Sequence, residues 1–324
     1  MLIIVIKKYN LFLINEGITL SNEDIIDVIR SLESEDNKNS KLISRLVNHT
    51  EKSGKNVLMN IVQDDDEELV DYVLKFDVDI NHKMKTDENV LFFCKSIKMF
   101  KKFYDLGVDV HAVDIDIKRN ILAYLASKNL FNVELYQALI NDGIDINQKD
   151  TYGSFDGDTY YSVLVGSLLN KTIVELLIKN GVNLNDDDIQ KACFRKLCDT
   201  FKYTKGKRKF VLNIFSILFN NGMKIIDEKN FAKNISNMRM YLNELDVVTD
   251  FISPLKKYFS EDFIIKLYDE DYGNIEYVKK LLNLDLYPNL YNRVKSYYGE
   301  NFYKVFADYI SEHPYLETSG KYNL

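Results

Sequence analysis

Apolar residues recur along the chain at the three- and four-residue spacing of amphipathic helices, and many of these runs end in the same short phrase. In that phrase an apolar residue alternates with Asp or Asn behind a Gly or an Asp. It reads VLKFDVDIN at 73–81, FYDLGVDVH at 103–111, LINDGIDIN at 139–147, LIKNGVNLN at 177–185 and LLNLDLYPN at 281–289, with a looser copy, LFNNGMKII, at 218–226. Such regular recurrence predicts a chain built of repeated helical units.

The glycine of each phrase marks the predicted end of a helix. Glycine is favoured there because a helix commonly stops with one residue in the left-handed conformation. These glycines are Gly107, Gly143, Gly181 and Gly222. Asp77 and Asp285 occupy the position in two copies, and we expect them to adopt that conformation, which Asp enters more easily than most residues. An extended finger of chain follows each of these stops.

A second shared piece opens the apolar run upstream of each phrase. It reads Asn56-Val57-Leu58, Asn89-Val90-Leu91, Asn120-Ile121-Leu122 and Ser162-Val163-Leu164. Asn and Ser are strong helix N-caps, because their side-chain oxygen accepts from the unpaired amides of the first turn. Each unit is therefore predicted to comprise a cap, a short helix, a turn, a second helix, a glycine stop and an extended finger.

In these features the chain resembles the ankyrin repeat. The family's closing segment, Val-x-x-Leu-Leu-x-x-Gly-Ala-Asp-Val-Asn, is matched by the segment from Val174 to Asn185 and again by Gly273 to Leu282. The opening motif, Gly-x-Thr-Pro-Leu-His, is matched at Gly54 and Leu58, whereas Asn56, Val57 and Met59 replace Thr, Pro and His. Because that hydroxyl and imidazole tie the family's repeats together by hydrogen bonds, their loss indicates divergent repeats.

The resemblance covers about residues 50–226 and, as one further unit, 263–290. It implies an all-α, ankyrin-like helical-repeat solenoid of about six or seven units with N- and C-terminal helical caps, since stacked repeats leave apolar faces bare at both ends. We expect residues 1–50 to form the N-terminal helical cap and 51–226 the ankyrin-like repeats. Residues 227–324 are then degenerate repeats and a Tyr-rich helical C-terminal cap, with helices predicted over 231–242, 247–259 and 291–316.

Composition narrows the class of protein. The hydrophobic fraction of 46% and charged fraction of 28% are those of a folded soluble chain, and a net charge of −7 disfavours general binding to a phosphate backbone. Three cysteines without a Cys-x-x-Cys pair do not make a disulfide framework, which favours a reducing cytoplasm. The apolar start Met1–Ile6 is cut short by Lys7 and Lys8, so we expect neither a secretory signal nor a membrane helix.

Residue patterns typical of catalysis or metal binding are missing from the sequence. The four histidines have no zinc-like spacing, so a solvated surface location is expected for them, and we expect no cofactor, no metal and no enzyme. The acidic run at 64–68 is better explained as a helix start than as a cation site. Asp150, Asp156 and Asp158 faintly resemble a calcium loop, but the EF-hand spacing is absent.

The predicted contact residues lie on fingers and loops. The segment 148–161 is a long insertion after the third finger, where solenoids often place binding residues. Its aromatic and acidic residues are the first choice, together with two finger lysines, and a basic stretch at 202–209 comes second. The candidates are Lys83, Lys85, Tyr152, Phe155, Asp156 and Tyr160, then Lys205, Lys207 and Arg208.

The resemblance implies a protein that acts by occupying a protein partner, in the cytoplasm or in a host cell's cytoplasm. Rich use of Asn, Lys and Ile makes the chain similar to divergent ankyrin-repeat proteins of large DNA viruses, phages and intracellular bacteria, and suggests the hypothesis that it disables a host or rival defence protein. Two alternatives stay open. One is an adaptor whose residues 227–324 recruit a second machine, and the other is a nucleic-acid or nucleotide binder using 202–209.

Overall fold

A computed structural model describes residues 22–33, 40–151, 162–239, 241–269, 274–283, 288–312 and 314. Over these residues the chain is mostly helical, and its only extended pairings are isolated bridges between Thr50 and Asn56 and between Asp114 and Arg119. The predicted all-α class is therefore confirmed. The two ends of the chain, residues 1–21 and 315–324, lie outside the described residues.

The described chain forms two compact units, one up to Asn180 and one from Gly181 onward. The predicted domain boundaries after residues 50 and 226 stay predictions. Helices of the first unit are α1 Asn22–Glu33, α2 Ser40–Val47, α3 Val57–Asp64, α4 Glu67–Val73, a 3₁₀ helix Val90–Phe93, α5 Ile97–Asp105, α6 Ile121–Ser127, α7 Val133–Asn141, α8 Val163–Ser167 and α9 Lys171–Lys179.

These helices come in pairs, and the first members of successive pairs touch in chain order. Helix α3 contacts the 3₁₀ helix, which contacts α6, and α6 contacts α8. Every residue from Ile121 to Ala126 in α6 is less than a tenth exposed. A helix of seven residues is not stable alone in water, so its neighbours on all sides hold it in place.

The predicted N-caps are confirmed. The side chains of Asn56, Asn89, Asn120 and Ser162 each accept a hydrogen bond from a backbone amide in the first turn of the helix that follows. The acidic run also follows its prediction in part. Helix α3 ends at Asp64, Asp66 caps α4 by accepting from the amide of Leu69, and Glu67 and Glu68 fill the first turn.

The glycine stops are confirmed as well, with φ of +80°, +89°, +83° and +94° at Gly107, Gly143, Gly181 and Gly222. The expectation for Asp77 is wrong, because Asp77 is not among the residues with positive φ. At that place α4 already gives way to a tighter turn, in which the amide of Phe76 donates to the carbonyl of Val73 and that of Val78 to Phe76. No left-handed residue is needed there. Asp285 lies outside the described residues.

The second unit continues the paired pattern over the described ranges from Gly181. Its helices are α10 Asp187–Tyr203, a 3₁₀ helix Lys205–Lys207, α11 Arg208–Asn220, α12 Glu228–Arg239, α13 Glu244–Asp246, a π-helix Val247–Ile252, α14 Ser253–Leu255, a 3₁₀ helix Lys256–Tyr258, α15 Glu261–Asp269, α16 Ile275–Leu282, α17 Pro288–Tyr298, a 3₁₀ helix Gly299–Asn301, α18 Phe302–Val305 and α19 Ala307–Glu312. Helix α10 contacts α12, α12 contacts α15, and α15 contacts α17. The helices predicted within 227–324 are therefore present where residues are described.

Phenylalanines form the core of the second unit. The Phe231 side chain is fully buried, and its ring stacks on Phe194 with centroids 4.1 Å apart. The same ring also meets Phe215 and Phe263, at 5.9 and 5.4 Å. One side chain thus joins helices α10, α11, α12 and α15.

Candidate functional site

Three tight hairpin turns in the first unit form the candidate site, and we call them the finger row. The first turn spans residues 50–56, the second 84–88 and the third 114–119. Each turn is closed by its own backbone. Thr50 pairs with Asn56, the amide of Met84 donates to the carbonyl of Glu88 at 2.8 Å, and that of Asp114 donates to Arg119 at 2.9 Å.

Hydrogen bonds tie each turn of the finger row to the next segment of chain. The ring nitrogen Nε2 of His82 donates to the carbonyl of Gly54 at 2.7 Å. The amide of Ile115 donates to the carbonyl of Thr86 at 3.0 Å, and that of Thr151 to Ile117 at 2.8 Å. Because backbone groups make most of these ties, the relative positions of the three turns are fixed. His82 is half-buried and engaged, which differs from the solvated location expected for it.

Asparagine side chains add a second set of ties beneath the finger row. Asn89 Nδ2 donates to the carbonyl of Asp109 at 2.6 Å, and Asn120 Nδ2 donates to that of Asp145 at 2.7 Å. Each of these asparagines also caps its own helix through its oxygen. One buried amide therefore both starts a helix and holds the finger that follows in sequence.

Other asparagine side chains form a third set of hydrogen bonds, each to the next finger along the chain. Asn48 Nδ2 donates to the carbonyl of Asp77 at 2.7 Å, while its oxygen accepts from the amide of Asp79 at 2.7 Å. Asn81 accepts from the amide of Asp109 at 2.9 Å. In the second unit Asn185 acts in the same way, because it donates to the carbonyl of Gly222 and accepts from the amide of Lys224.

A buried ion pair anchors the start of the insertion 148–161 to the third turn. Arg119 Nε donates to Asp150 Oδ2 at 2.9 Å, and the two side chains are 9% and 0% exposed. Since Asp150 is enclosed and paired with a guanidinium, it is not available as a ligand in a calcium loop. Of the predicted contact residues, Tyr152, Phe155, Asp156 and Tyr160 lie in the part of this insertion that is outside the described residues.

The two predicted lysines lie at the second turn, and both are exposed. Lys83 Nζ forms ion pairs with Asp109 at 3.2 Å and with Asp87 at 3.4 Å. Partial burial disfavours its charged form, but the hydrogen bonds to Asp109 and Asp87 outweigh that effect and raise the pKa of Lys83 above its ordinary value. The two carboxylates therefore favour the charged form of Lys83, which lies next to an exposed Lys85.

Ile115 is the residue of the finger row that sequence reasoning missed. Its side chain is 57% exposed at the third turn, although Asp114 holds the turn rigid by accepting from the amide of Asp116 at 3.0 Å. The pattern DIDIK at 114–118 could have drawn attention to it, because an isoleucine between two aspartates of a tight turn has no predicted core to enter.

The basic stretch at 202–209 runs from the end of α10 through a 3₁₀ helix to the start of α11. Lys205 and Lys207 are exposed, whereas Arg208 is only 13% exposed and pairs with Asp250 at 3.1 Å and with Asp246 at 3.8 Å. Arg208 thus has partners within its own unit, which makes it a weaker candidate for a contact than the two lysines.

Metal ligands and cysteine thiols are two kinds of group that catalysis often uses, and both can be located in the described part of the chain. No cluster of three His, Cys, Asp or Glu there could hold a metal ion. Cys94, Cys193 and Cys198 are free thiols, and all three are buried. Burial raises the pKa of Cys193 from 9.0 to about 12 and also raises that of Cys94 and Cys198, so none is a ready thiolate nucleophile.

None of the models of known protein families matches the chain, and a search of curated proteins returns no significant match. Within the ranges that the structure describes, no helix combines the length and the apolar character needed to cross a membrane.

Proposed function

We propose that this chain is a protein-binding module of divergent ankyrin-like repeats, and that the finger row with the neighbouring insertion 148–161 holds the partner. Three features support the ankyrin-like part of the proposal. Helix pairs contact each other in chain order, left-handed glycines end the second helices, and hairpin turns follow them.

The asparagine ties explain how such repeats hold together without the family's Thr-Pro-Leu-His motif. In the family, the threonine hydroxyl and the histidine imidazole make separate hydrogen bonds. Here one side chain does both, because Asn120 accepts from the amide of Ala123 and donates to the carbonyl of Asp145. Asn56 and Asn89 repeat this arrangement.

The observation that carries the binding proposal is the exposure of Ile115 on a turn held from both sides. Its amide donates to Thr86, and the next segment donates to Ile117. An apolar side chain on a pre-ordered turn gives up little freedom on binding, so more of its burial energy appears as affinity. Exposed Asp116 and Lys118 flank it and would form a polar rim.

The test is affinity capture with Ile115→Asp beside the unchanged chain. We expect at least about a tenfold loss of the specifically retained protein, because tenfold corresponds to about 1.4 kcal/mol, less than a buried isoleucine contributes. Retained proteins are quantified by mass spectrometry.

The matched control is Val133→Asp, which places the same charge on another exposed apolar residue of the same unit. Val133 begins α7, where an acidic residue suits the helix dipole, so this variant is expected to fold and to keep the partner. Equal retention by all three proteins would contradict the assignment of the finger row.

That the chain acts against a host or defence protein stays a prediction from the resemblance.

A further inference from the structure

We propose that the second unit carries a separate binding surface whose ligand is an acidic peptide segment. The surface comprises Lys202, Tyr203, Lys205, Lys207 and Tyr241, and we call it the aromatic-basic patch. It lies on a different unit from the finger row, so it does not depend on the function proposed above.

The patch is built around two tyrosines that the fold leaves outside its core. Tyr203 ends α10 and is 65% exposed, and Tyr241 follows α12 and is 62% exposed. Their rings meet edge to face with centroids 5.7 Å apart. Lys202 Nζ lies 3.2 Å from the centroid of Tyr241 and 4.6 Å from that of Tyr203. The pair is therefore ordered, although water reaches most of both rings.

The charge of the patch is positive and not neutralised within the described part of the unit. Residues 202–209 contain five Lys or Arg and no Asp or Glu. Asp246 and Asp250 both pair with Arg208. Lys205 and Lys207 form no ion pair among the described residues, so their charges face solvent.

The turn that displays these lysines is fixed. The amide of Lys207 donates to the carbonyl of Thr204 at 2.8 Å, and the guanidinium of Arg208 lies 5.2 Å from the ring centre of Phe201. Phe201 is fully buried, so Arg208 pins the turn to the core of the unit. A ligand would therefore meet two positive charges and two aromatic rings in a nearly pre-formed arrangement.

Carboxylates suit this arrangement better than nucleotides do. Single-stranded nucleic acid binds by stacking its bases on open aromatic faces. In the patch Lys202 lies over one face of Tyr241, and the two rings meet edge to face, so they do not offer parallel faces to successive bases. Lysines and tyrosine hydroxyls instead donate to carboxylates, and the open side of Tyr203 accepts an apolar side chain.

Fluorescence anisotropy of the full chain tests the proposal. One probe is a short fluorescein-labelled peptide in which glutamates flank a single phenylalanine, and the other is a labelled oligothymidylate of equal charge. We expect the peptide to bind more tightly than the oligonucleotide at low salt. Tighter binding of the oligothymidylate, or no binding of the peptide, would overturn the proposal.

Variants assign the binding to the patch. The double change Lys205→Glu with Lys207→Glu, and separately Tyr203→Ala with Tyr241→Ala, are each expected to weaken peptide binding at least about tenfold, or about 1.4 kcal/mol. The control changes Lys229→Glu and Lys233→Glu, two exposed lysines of α12 that give the same change in net charge. An equal loss in this control would overturn the proposal, since it would mean that only long-range charge acts. So would full affinity in the tyrosine variant, provided thermal unfolding shows each variant folded.

Discussion

Several asparagine side chains in this fold each cap a helix and also bond to a neighbouring segment, and Asn120 is the clearest example. It is 4% exposed, caps α6 through its oxygen and donates its amide to the carbonyl of Asp145. Asn132 offers a natural comparison, because it caps α7 by accepting from Leu135 at 2.8 Å but is only half-buried. Comparing variants at the two sites therefore separates the contribution of the hydrogen bond to Asp145 from that of the helix cap.

We expect Asn120→Ala to lower the free energy of unfolding by about 2–3 kcal/mol, since it removes a cap worth about 1 kcal/mol and a donor to a neighbouring carbonyl. Asn132→Ala loses only the cap and is expected to cost about 1 kcal/mol. Urea unfolding followed by circular dichroism measures both. Equal losses at the two sites would mean that the tie to Asp145 contributes nothing.

Residue identities predicted the local features well and the distant ones poorly. Caps and glycine stops follow from a few neighbouring residues, and both are confirmed. Asp77 was predicted wrongly because its turn closes through bonds of Phe76 and Val78 that its own identity does not reveal. The roles of His82 and Ile115 depend on contacts with segments about thirty residues away, for which the sequence carries no local signal.

At the scale of the helix, Gly143 determines how α7 ends. After Asp142 the amide of Gly143 donates to the carbonyl of Ile140, and that of Ile144 donates to Leu139. This pairing requires a left-handed residue at Gly143, where φ is +89°. A side chain there would meet nothing within 4 Å, so its cost would be conformational and not steric.

Gly143→Ala is therefore expected to lower the free energy of unfolding by about 1–2 kcal/mol, the cost of an L-residue in the left-handed region. Gly206→Ala is the matched control, because a side chain there also meets open space while its φ is not positive. It is expected to be neutral or to stabilise by about 0.5 kcal/mol, through a less flexible unfolded chain. Thermal unfolding compares the two, and an equal loss would contradict a special conformation at Gly143.

Helix positions could be predicted because the spacing of apolar residues agrees with the positions of the caps and glycines that mark the helix ends. The exceptions are instructive. Val90–Phe93 was expected to open a helix like its counterparts, but only a 3₁₀ turn forms before Cys94 takes an extended conformation. The helix predicted at 247–259 forms instead as a π-helix, Val247–Ile252, followed by a short α-helix that contains Pro254, whose missing N–H cannot donate to an α-helical ladder.

At the scale of the whole chain, each of the two compact units has its own buried aromatic side chains. Phe100 lies fully buried in the first unit and Phe231 in the second. The sequence around Asn180 and Gly181 does not predict the boundary between the units, because the repeated phrase at 177–185 spans it. Only the contacts among distant residues separate the two units.

Each core variant is expected to loosen its own unit first. Phe231→Ala removes about 3–5 kcal/mol of packing, so hydrogen exchange should accelerate in α10 to α17 more than in α3 to α9. Phe100→Ala should give the reverse pattern. Exchange measured by mass spectrometry checks both variants, and a uniform acceleration along the chain in either would show that the division has no energetic meaning.

Two binding surfaces on two units would also support an adaptor, although most of the aromatic-basic patch precedes residues 227–324, in which the adaptor alternative places the second contact. The finger row would select a target, and the aromatic-basic patch would hold an acidic segment of another protein. The lysines of both surfaces were visible in the sequence, whereas Ile115, Tyr203 and Tyr241 emerged only from their exposure.

The asparagine amides end on main-chain carbonyls, those of Asp79, Asp109 and Asp145. Every amino acid supplies a backbone carbonyl, so the neighbouring side chains at the turns can be changed without loss of these hydrogen bonds between repeats. Under the proposed function, a lineage could therefore change the protein that it binds while leaving its scaffold intact, and a designer could graft new loops onto the same positions.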